Sequence, residues 1–328
     1  MNPLFSIIIP TYNSEKTIEK CLKSISNSVF TNYEVIVVND GSSDNTSNLV
    51  SNIGIPQVTL YNKSNEGPGK SRNFGISKSK GYYIVFIDSD DYVDPYFLDE
   101  LYKVCIAESP DVLFIDTVNE NVDGKKISNL KFNKYRYMQK SDLVKLHMTC
   151  TIPWGAVRRV IKSDLIYKHS IFFQDTEVGE EAIFAFKSLF YANKLSYMSN
   201  SKYHYVQHRD SQSAKGGTNP WFKMTIKMKQ ELISIGAFAE YKDAYYGLVY
   251  KSLIIETFRI MCISGIKKGL NKYRKEKLNL SEITSQKKTI KYLNMRYKVL
   301  FTTSRLKLNV LVYLFLISIF LIRGGKKC

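Results

Sequence analysis

The chain holds 328 residues, 44% of them hydrophobic and 23% charged, which supports a sizeable core and excludes a mainly disordered chain. Its formal net charge of +17 is unevenly placed. Residues 1–214 contain 24 Lys and Arg against 24 Asp and Glu, while residues 215–328 contain 23 against 6, so a neutral body carries a basic C-terminal third suited to a polyanion.

The first hundred residues read as alternating strands and helices. Residues 5–9 form a continuous apolar run, as expected of a strand buried on both faces, and Pro10 ends it. Asn13 or Ser14 caps a helix reaching about residue 28, with Ile18, Cys21, Leu22 and Ile25 on one face. Strands follow at 34–38, 58–61 and 82–87, and helices at about 46–53 and 70–79. Such repeated units predict a mostly parallel sheet between helices, with ligands beyond the carboxyl ends of the strands. Further on, 96–106 and 182–191 read as helices, and 112–115, 195–198 and 203–205 as short strands. Residues 119–140 read as a hairpin or surface excursion. From residue 221 onward the chain reads as mostly helix, with breaks near Gly265 and Gly269. Five widely spaced cysteines without a CxxC pair read as idle thiols in a reducing compartment. Met1-Asn2-Pro3 lacks a basic leader region, and the apolar residues 4–9 are too few for a signal sequence, so the body is expected in the cytosol.

The chemistry concentrates at four places. Asp88, Asp90 and Asp91 close a buried strand, and three carboxylates so close repel one another unless a cation such as Mn²⁺ or Mg²⁺ compensates; a solvated acidic turn is the plain alternative. Asp40 precedes Gly41-Ser42 and can accept from a base or a ribose hydroxyl, or simply form a turn. Asn65-Glu66-Gly67-Pro68-Gly69 leads into Lys70 and Arg72, which can meet a diphosphate at a helix start; the glycine spacing is not that of a Walker loop. Glu180 and Glu181 open an apolar helix, where one can be a general base or both can offset the helix dipole. His204 or His208 can add a metal ligand, and Trp154 can be an acceptor platform or a core residue.

Taken in order, Ser6-Ile7-Ile8-Ile9-Pro10-Thr11-Tyr12-Asn13, Val37-Val38-Asn39-Asp40-Gly41-Ser42-Ser43-Asp44, Asn65-Glu66-Gly67-Pro68-Gly69-Lys70-Ser71-Arg72-Asn73 and Phe86-Ile87-Asp88-Ser89-Asp90-Asp91 resemble glycosyltransferase family 2. The resemblance implies an α/β protein with the nucleotide-diphospho-sugar transferase (GT-A) fold over residues 1–213, a nucleotide half at about 1–100 and an acceptor half at 101–213. It implies that Pro10, Thr11, Tyr12, Asp40, Lys70, Arg72, Asp88 and Ser89 bind a UDP-sugar, that Asp90 with Asp88 holds Mn²⁺ or Mg²⁺, and that Glu181, or its neighbour Glu180, is the base of an inverting transfer. The family's base is usually an aspartate, so a glutamate here is a departure. The Asp-x-Asp-Asp form is similar to that of bacterial enzymes extending polyprenyl-diphosphate-linked saccharides in O-antigen (lipopolysaccharide) or capsule assembly.

Residues 214–328 read as a basic helical extension. Residues 308–322 form a stretch of 15 residues, apolar except for Asn309 and Ser318, about 22 Å as a helix against the roughly 30 Å of a bilayer core. Basic residues flank it on both sides, and residues 266–307 carry 13 Lys and Arg against 2 Asp and Glu. Residues 305–323 are therefore expected to lie on the cytoplasmic face of the membrane, with a short membrane anchor or a buried helix as the alternatives. Nucleic-acid binding is disfavoured because the charge avoids the body. A nucleotidyltransferase would need a glycine-rich, lysine-containing segment where Pro10-Thr11-Tyr12-Asn13 stands. An inactive member of the fold stays open through Glu181.

Overall fold

The computed structural model describes residues 2–174, 179–208, 220–278, 291–293 and 297–300. The chain divides into two compact units. The first comprises Met1–Lys140, Trp154–Asp175 and Ile183–Ser211, and the second Ser141–Pro153, Thr176–Ala182 and Gln212–Cys328.

The first unit is built on one sheet. Its strands are β1 (Phe5–Thr11), β2 (Tyr33–Asp40), β3 (Val58–Lys63), β4 (Tyr83–Phe86), β5 (Tyr92–Val93), β6 (Val112–Asn121), β7 (Lys126–Leu130), β8 (Arg159–Lys162) and β9 (Leu195–Gln207). They lie in the order β3-β2-β1-β4-β8-β6-β9-β5, with β7 beside β6. The first four are mutually parallel, as predicted. Beyond β4 the sheet is mixed: β8 runs antiparallel to both β4 and β6, β6 and β9 are parallel, β5 pairs antiparallel with β9, and β7 pairs antiparallel with β6. The expectation of a mostly parallel sheet thus holds for the first half and gives way to a mixed sheet in the second.

Helices α1 (Ile18–Ser26), α2 (Thr46–Ser51), α3 (Pro68–Lys78) and α4 (Phe97–Glu108) connect the early strands. Helix α1 buries Ile18, Cys21, Leu22 and Ile25, the spacing read from the sequence. Helix α3 lies so near β1 that a Cβ on Gly75 would come within 2.4 Å of Ile8 Cγ2. Residues 119–140 do contain a hairpin, β6 to β7, followed by a 3-10 turn at Asn133–Tyr135. The two short strands expected at 195–198 and 203–205 are halves of the single strand β9, whose pairing with β6 shifts register between them.

The second unit is helical. It contains most of α5 (Lys140–Met148), the first turn of α7 (Glu180–Tyr191), and α8 (Pro220–Ser234), α9 (Phe238–Ser264) and α10 (Ile266–Leu278); α6 (Ser163–Lys168) belongs to the first. Buried Lys251 of α9 donates to the carbonyls of Thr149 and Cys150 at 3.0 and 2.9 Å, capping the end of α5. Gly265, at φ +90°, separates α9 from α10. The second predicted break fails. Gly269 lies within α10, where a Cβ would meet Met261 Cγ at 2.2 Å and the Thr257 carbonyl at 2.8 Å. It is there because the two helices touch. Cys21, Cys105 and Cys150 are free thiols, whereas Cys262 is disulfide-bonded, against the expectation of idle thiols throughout. Among the described residues no helix is long and apolar enough to cross a membrane. The segment 305–323 lies outside the described residues.

Candidate active site

The carboxyl ends of β1, β2, β3 and β4 share one edge of the first unit, and the loops that leave them are cross-linked. Asn13 donates its N–H to Ser42 Oγ at 2.9 Å and accepts the N–H of Ser43 at 2.9 Å. The hydroxyls of Ser14 and Ser89 meet at 2.8 Å. Pro10 and Thr11 are buried at the end of β1, and Thr11 Oγ1 is enclosed without a hydrogen-bond partner. Tyr12, the next residue, is 46% exposed and offers a ring face at the rim.

Asp40 is buried and committed. Its Oδ1 accepts Lys63 Nζ at 2.7 Å and the Glu66 N–H at 3.0 Å, and its Oδ2 accepts the Gly67 N–H at 2.7 Å. Burial acts to raise this carboxyl, but the bonds from Lys63, Glu66 and Gly67 outweigh it and hold the carboxyl below its usual range. The residue expected to hold a base or ribose therefore clamps the loop that starts α3. From that helix Arg72 Nη2 reaches Asp88 Oδ1 at 2.8 Å, with the guanidinium nearly enclosed. Lys70 stays at the surface, 3.7 Å from Glu66.

The three aspartates still repel one another, but each faces a different neighbour. Asp88 pairs with Arg72. Asp91 is turned into the protein, where Oδ2 receives the Tyr203 hydroxyl at 2.5 Å and Oδ1 the Val206 N–H at 2.7 Å. Burial and the charges of Asp88 and Asp90 push its carboxyl well up. The reading of three carboxylates around a cation is corrected accordingly: Asp91 is structural. Asp90 lies 3.4 Å from His208 Nε2, and burial followed by the charge of Asp88 raises its carboxyl.

Of the two histidines weighed, His204 is occupied elsewhere. Its ring lies between Glu120 Oε1 at 2.9 Å and Asp94 Oδ1 at 2.7 Å and stacks on Tyr92 with centroids 4.4 Å apart. It joins β5, β6 and β9. Trp154 is buried, and its carbonyl accepts Arg159 Nη2 at 2.8 Å, so it is a core residue rather than an acceptor platform.

No group of three or more His, Cys, Asp and Glu that could hold a metal occurs among the described residues. A smaller donor set fits Mn²⁺ or Mg²⁺. His208 Nε2 is buried without a hydrogen-bond partner, and its separation from Asp90 suits neighbouring positions on one octahedral ion. Such ions need only one or two protein ligands when substrate phosphates and water complete the shell. The predicted pair was Asp90 with Asp88; the structure sets Asp90 beside His208 and Asp88 beside Arg72.

Pro10, Thr11, Tyr12, Asp40, Lys70, Arg72, Asp88, Ser89 and Asp90 all belong to the first unit, most of them at its carboxyl edge. Glu180 and Glu181 form the first turn of α7, after Gly179 at φ +82°, and belong to the second unit. Sequence reading missed Tyr203. It lies 112 residues from Asp91 in the chain, and only its burial against the aspartate turn, where a phenol needs a polar partner, reveals its part.

The model of the family described as glycosyl transferase family 2 matches residues 6–164. The putative glycosyltransferase EpsH of Bacillus subtilis is 27% identical over 215 residues, 64% of this chain and 62% of that protein. TarS of Staphylococcus aureus, a poly(ribitol-phosphate) beta-N-acetylglucosaminyltransferase, is 29% identical over 217 residues, 63% of this chain and 36% of that protein. This chain thus spans less than two thirds of the length of these curated relatives. The structure of TarS 1-349 in complex with UDP-GlcNAc superposes with a TM-score of 0.70 at 20% identity, covering 94% of this chain and 88% of that one. The mannosyltransferase PcManGT of Pyrobaculum calidifontis, in complex with GDP-Man and Mn²⁺, gives 0.51 at 13% identity, covering 93% and 87%. The chain thus has the GT-A fold, and the half of it at residues 6–164 is similar to glycosyl transferase family 2.

Proposed function

We propose that this protein is an inverting glycosyltransferase of bacterial cell-surface polysaccharide assembly, moving a hexose from a UDP-sugar to a polyprenyl-diphosphate-linked saccharide, as in O-antigen or capsule synthesis. Glucose and galactose are the first donors to consider, and UDP-GlcNAc joins them because TarS was solved with it. The observation that carries the reading is the division of labour at the aspartate turn. Asp88 is held by Arg72, Asp91 by Tyr203, and Asp90 faces His208 at the edge where a parallel sheet binds its ligand.

Asp90 and His208 would hold Mn²⁺ or Mg²⁺, which neutralises charge on a departing diphosphate. The chain's own residues do the rest. Tyr12 offers its ring to the base, and Asp40 fixes the loop that brings the start of α3 and Lys70 towards phosphate. Glu181, or Glu180, takes the proton of the acceptor hydroxyl. That oxygen bonds to the anomeric carbon as the bond to UDP breaks on the opposite face, which inverts the configuration. Lys267, Lys268 and Lys275 are exposed on α10 and, with the basic residues after them, suit anionic headgroups at the cytoplasmic face of the membrane.

The test is incubation with Mn²⁺, a panel of UDP-sugars and a synthetic GlcNAc-diphospho-lipid, read as a mass gain of one sugar. Product from wild type and none from Asp90→Ala supports the proposal; no transfer from any donor to lipid-linked or polyol-phosphate acceptors counts against it. For the membrane, the full chain should bind anionic vesicles better than a chain cut after Ser304, and equal binding would remove that part.

A further inference from the structure

Strand β8 is wedged antiparallel against β4, with Val160 opposite Val85. Where β4 runs out towards Ile87 and Asp88, the residues that precede β8 therefore come in from the other direction, and Arg158 is the last of them. It is half-buried. Its guanidinium lies against Gly155, where an added Cβ would come within 1.9 Å of Nη1. On another side, its ζ carbon stands 5.4 Å from the centre of the Tyr205 ring.

A guanidinium carries five donors and no acceptor. Here Nε is enclosed without a hydrogen-bond partner, and Arg158 pairs with no carboxylate among the described residues. Arg72 of the same edge, in contrast, is neutralised by Asp88. A partly desolvated cation with an unfilled donor is costly unless an anion completes it. The surroundings place it in the field of the site. Burial first, and then Asp88 and Asp91, push the Tyr205 hydroxyl up to about 12, while Arg158 pulls it the other way. Gly155 leaves room for the head group and Tyr205 gives it a face to lie on, so the cation is pre-positioned and faces no acidic partner.

We propose that Arg158 is a phosphate-binding residue of this site, its planar fork donating to the oxygens of a diphosphate carried by the donor or by the acceptor. The inference rests on the transferase reading and adds to it a recognition element outside the four motif segments. Arg fits because its fork matches two phosphate oxygens at once.

The experiment is calorimetric titration of the full chain with Mn²⁺ present, using UDP, uridine and farnesyl diphosphate as probes. Arg158→Gln should weaken at least one diphosphate by about tenfold, the scale of one lost charge-assisted contact, and leave uridine unchanged. Loss confined to UDP assigns the donor, and loss confined to farnesyl diphosphate assigns the acceptor. Gly155→Ala keeps the charge but displaces the head group, and should give the same loss. Arg158→Lys should recover part of the affinity, and serves in its own right if Arg158→Gln does not fold. Equal affinity of wild type and a folded Arg158 variant for both diphosphates would overturn the role of Arg158 alone. A wild type that binds neither diphosphate would remove the transferase reading itself, and this inference with it.

Discussion

The Tyr203 hydroxyl donates to Asp91 Oδ2 at 2.5 Å and receives the Asp88 N–H at 3.0 Å, so one buried phenol joins both ends of the aspartate turn. Removing the hydroxyl leaves an enclosed carboxylate oxygen and an enclosed N–H each short of a partner, at a cost of about 1–3 kcal/mol. Tyr203→Phe should unfold at lower denaturant than wild type. It should also bind UDP less tightly with Mn²⁺ while binding uridine as before. A parallel loss for both ligands would make Tyr203 a packing residue only.

Asp90 and His208 are read as ligands of one ion, and that has a signature in combined variants. Asp90→Ala should reduce Mn²⁺-dependent UDP binding by about tenfold or more. His208→Ala added to it should cost little further, because two ligands of one ion act as a unit. Calorimetry of the two single variants and the double variant decides. Fully additive losses would place the two side chains on separate tasks.

Asp40 makes stability depend on pH with a definite sign. Its folded carboxyl lies below the unfolded value of about 3.9, so its stabilisation is fully present above that value and is lost as the pH falls through the folded one. Asp40→Asn should therefore be less stable than wild type by about 2 kcal/mol near pH 7, with the gap closing in stronger acid. Urea unfolding at pH 7 and pH 3 measures it. A gap that widened in acid would reverse the assignment.

Glu181 and Glu180 stand side by side at the head of α7, and rates separate them. Loss of a general base costs about 10²–10⁴-fold in turnover. Glu181→Gln should show that loss with donor binding intact, while Glu180→Gln stays near wild type. The reverse result would transfer the role to Glu180, and normal turnover in both would leave the pair to the helix dipole.

In the second unit, Gly269→Leu should force α10 away from Met261 and the Thr257 carbonyl, destabilising that unit by about 1–3 kcal/mol. Thermal unfolding reads this directly, and an unchanged midpoint would show that the two helices do not need the contact.

The parallel half of the sheet was legible because a strand buried on both faces is a continuous apolar run and its ligand loops follow it directly. Thr11, Asp40 and Asp88 could be placed at one edge from order alone. The place of β8 between β4 and β6 was not legible, since pairing between distant segments leaves no local mark. Nor could the sequence divide tasks among neighbours. Asp88, Asp90 and Asp91 look alike in a row, and their differences come from Arg72, His208 and Tyr203, all distant in the chain. His204 and His208 were equally plausible ligands until Glu120 and Asp94 were seen to enclose the first. Gly269 was misread because a glycine that ends a helix and a glycine that lets two helices touch are the same letter.

Between Ile115↔Met198 and Thr117↔Tyr203, β9 advances five residues while β6 advances two. The surplus emerges at Ser199 and Asn200, which are exposed. Spare length at that point uncouples the two halves of the strand. The first half keeps the register of the core, and the second takes a new one, locked by β6 from Thr117 to Asn121 and by β5 at Tyr92 and Val93. The slack at Ser199 and Asn200 thus lets a single strand serve two registers, one that fills the interior and one that delivers Tyr203 to Asp88 and Asp91.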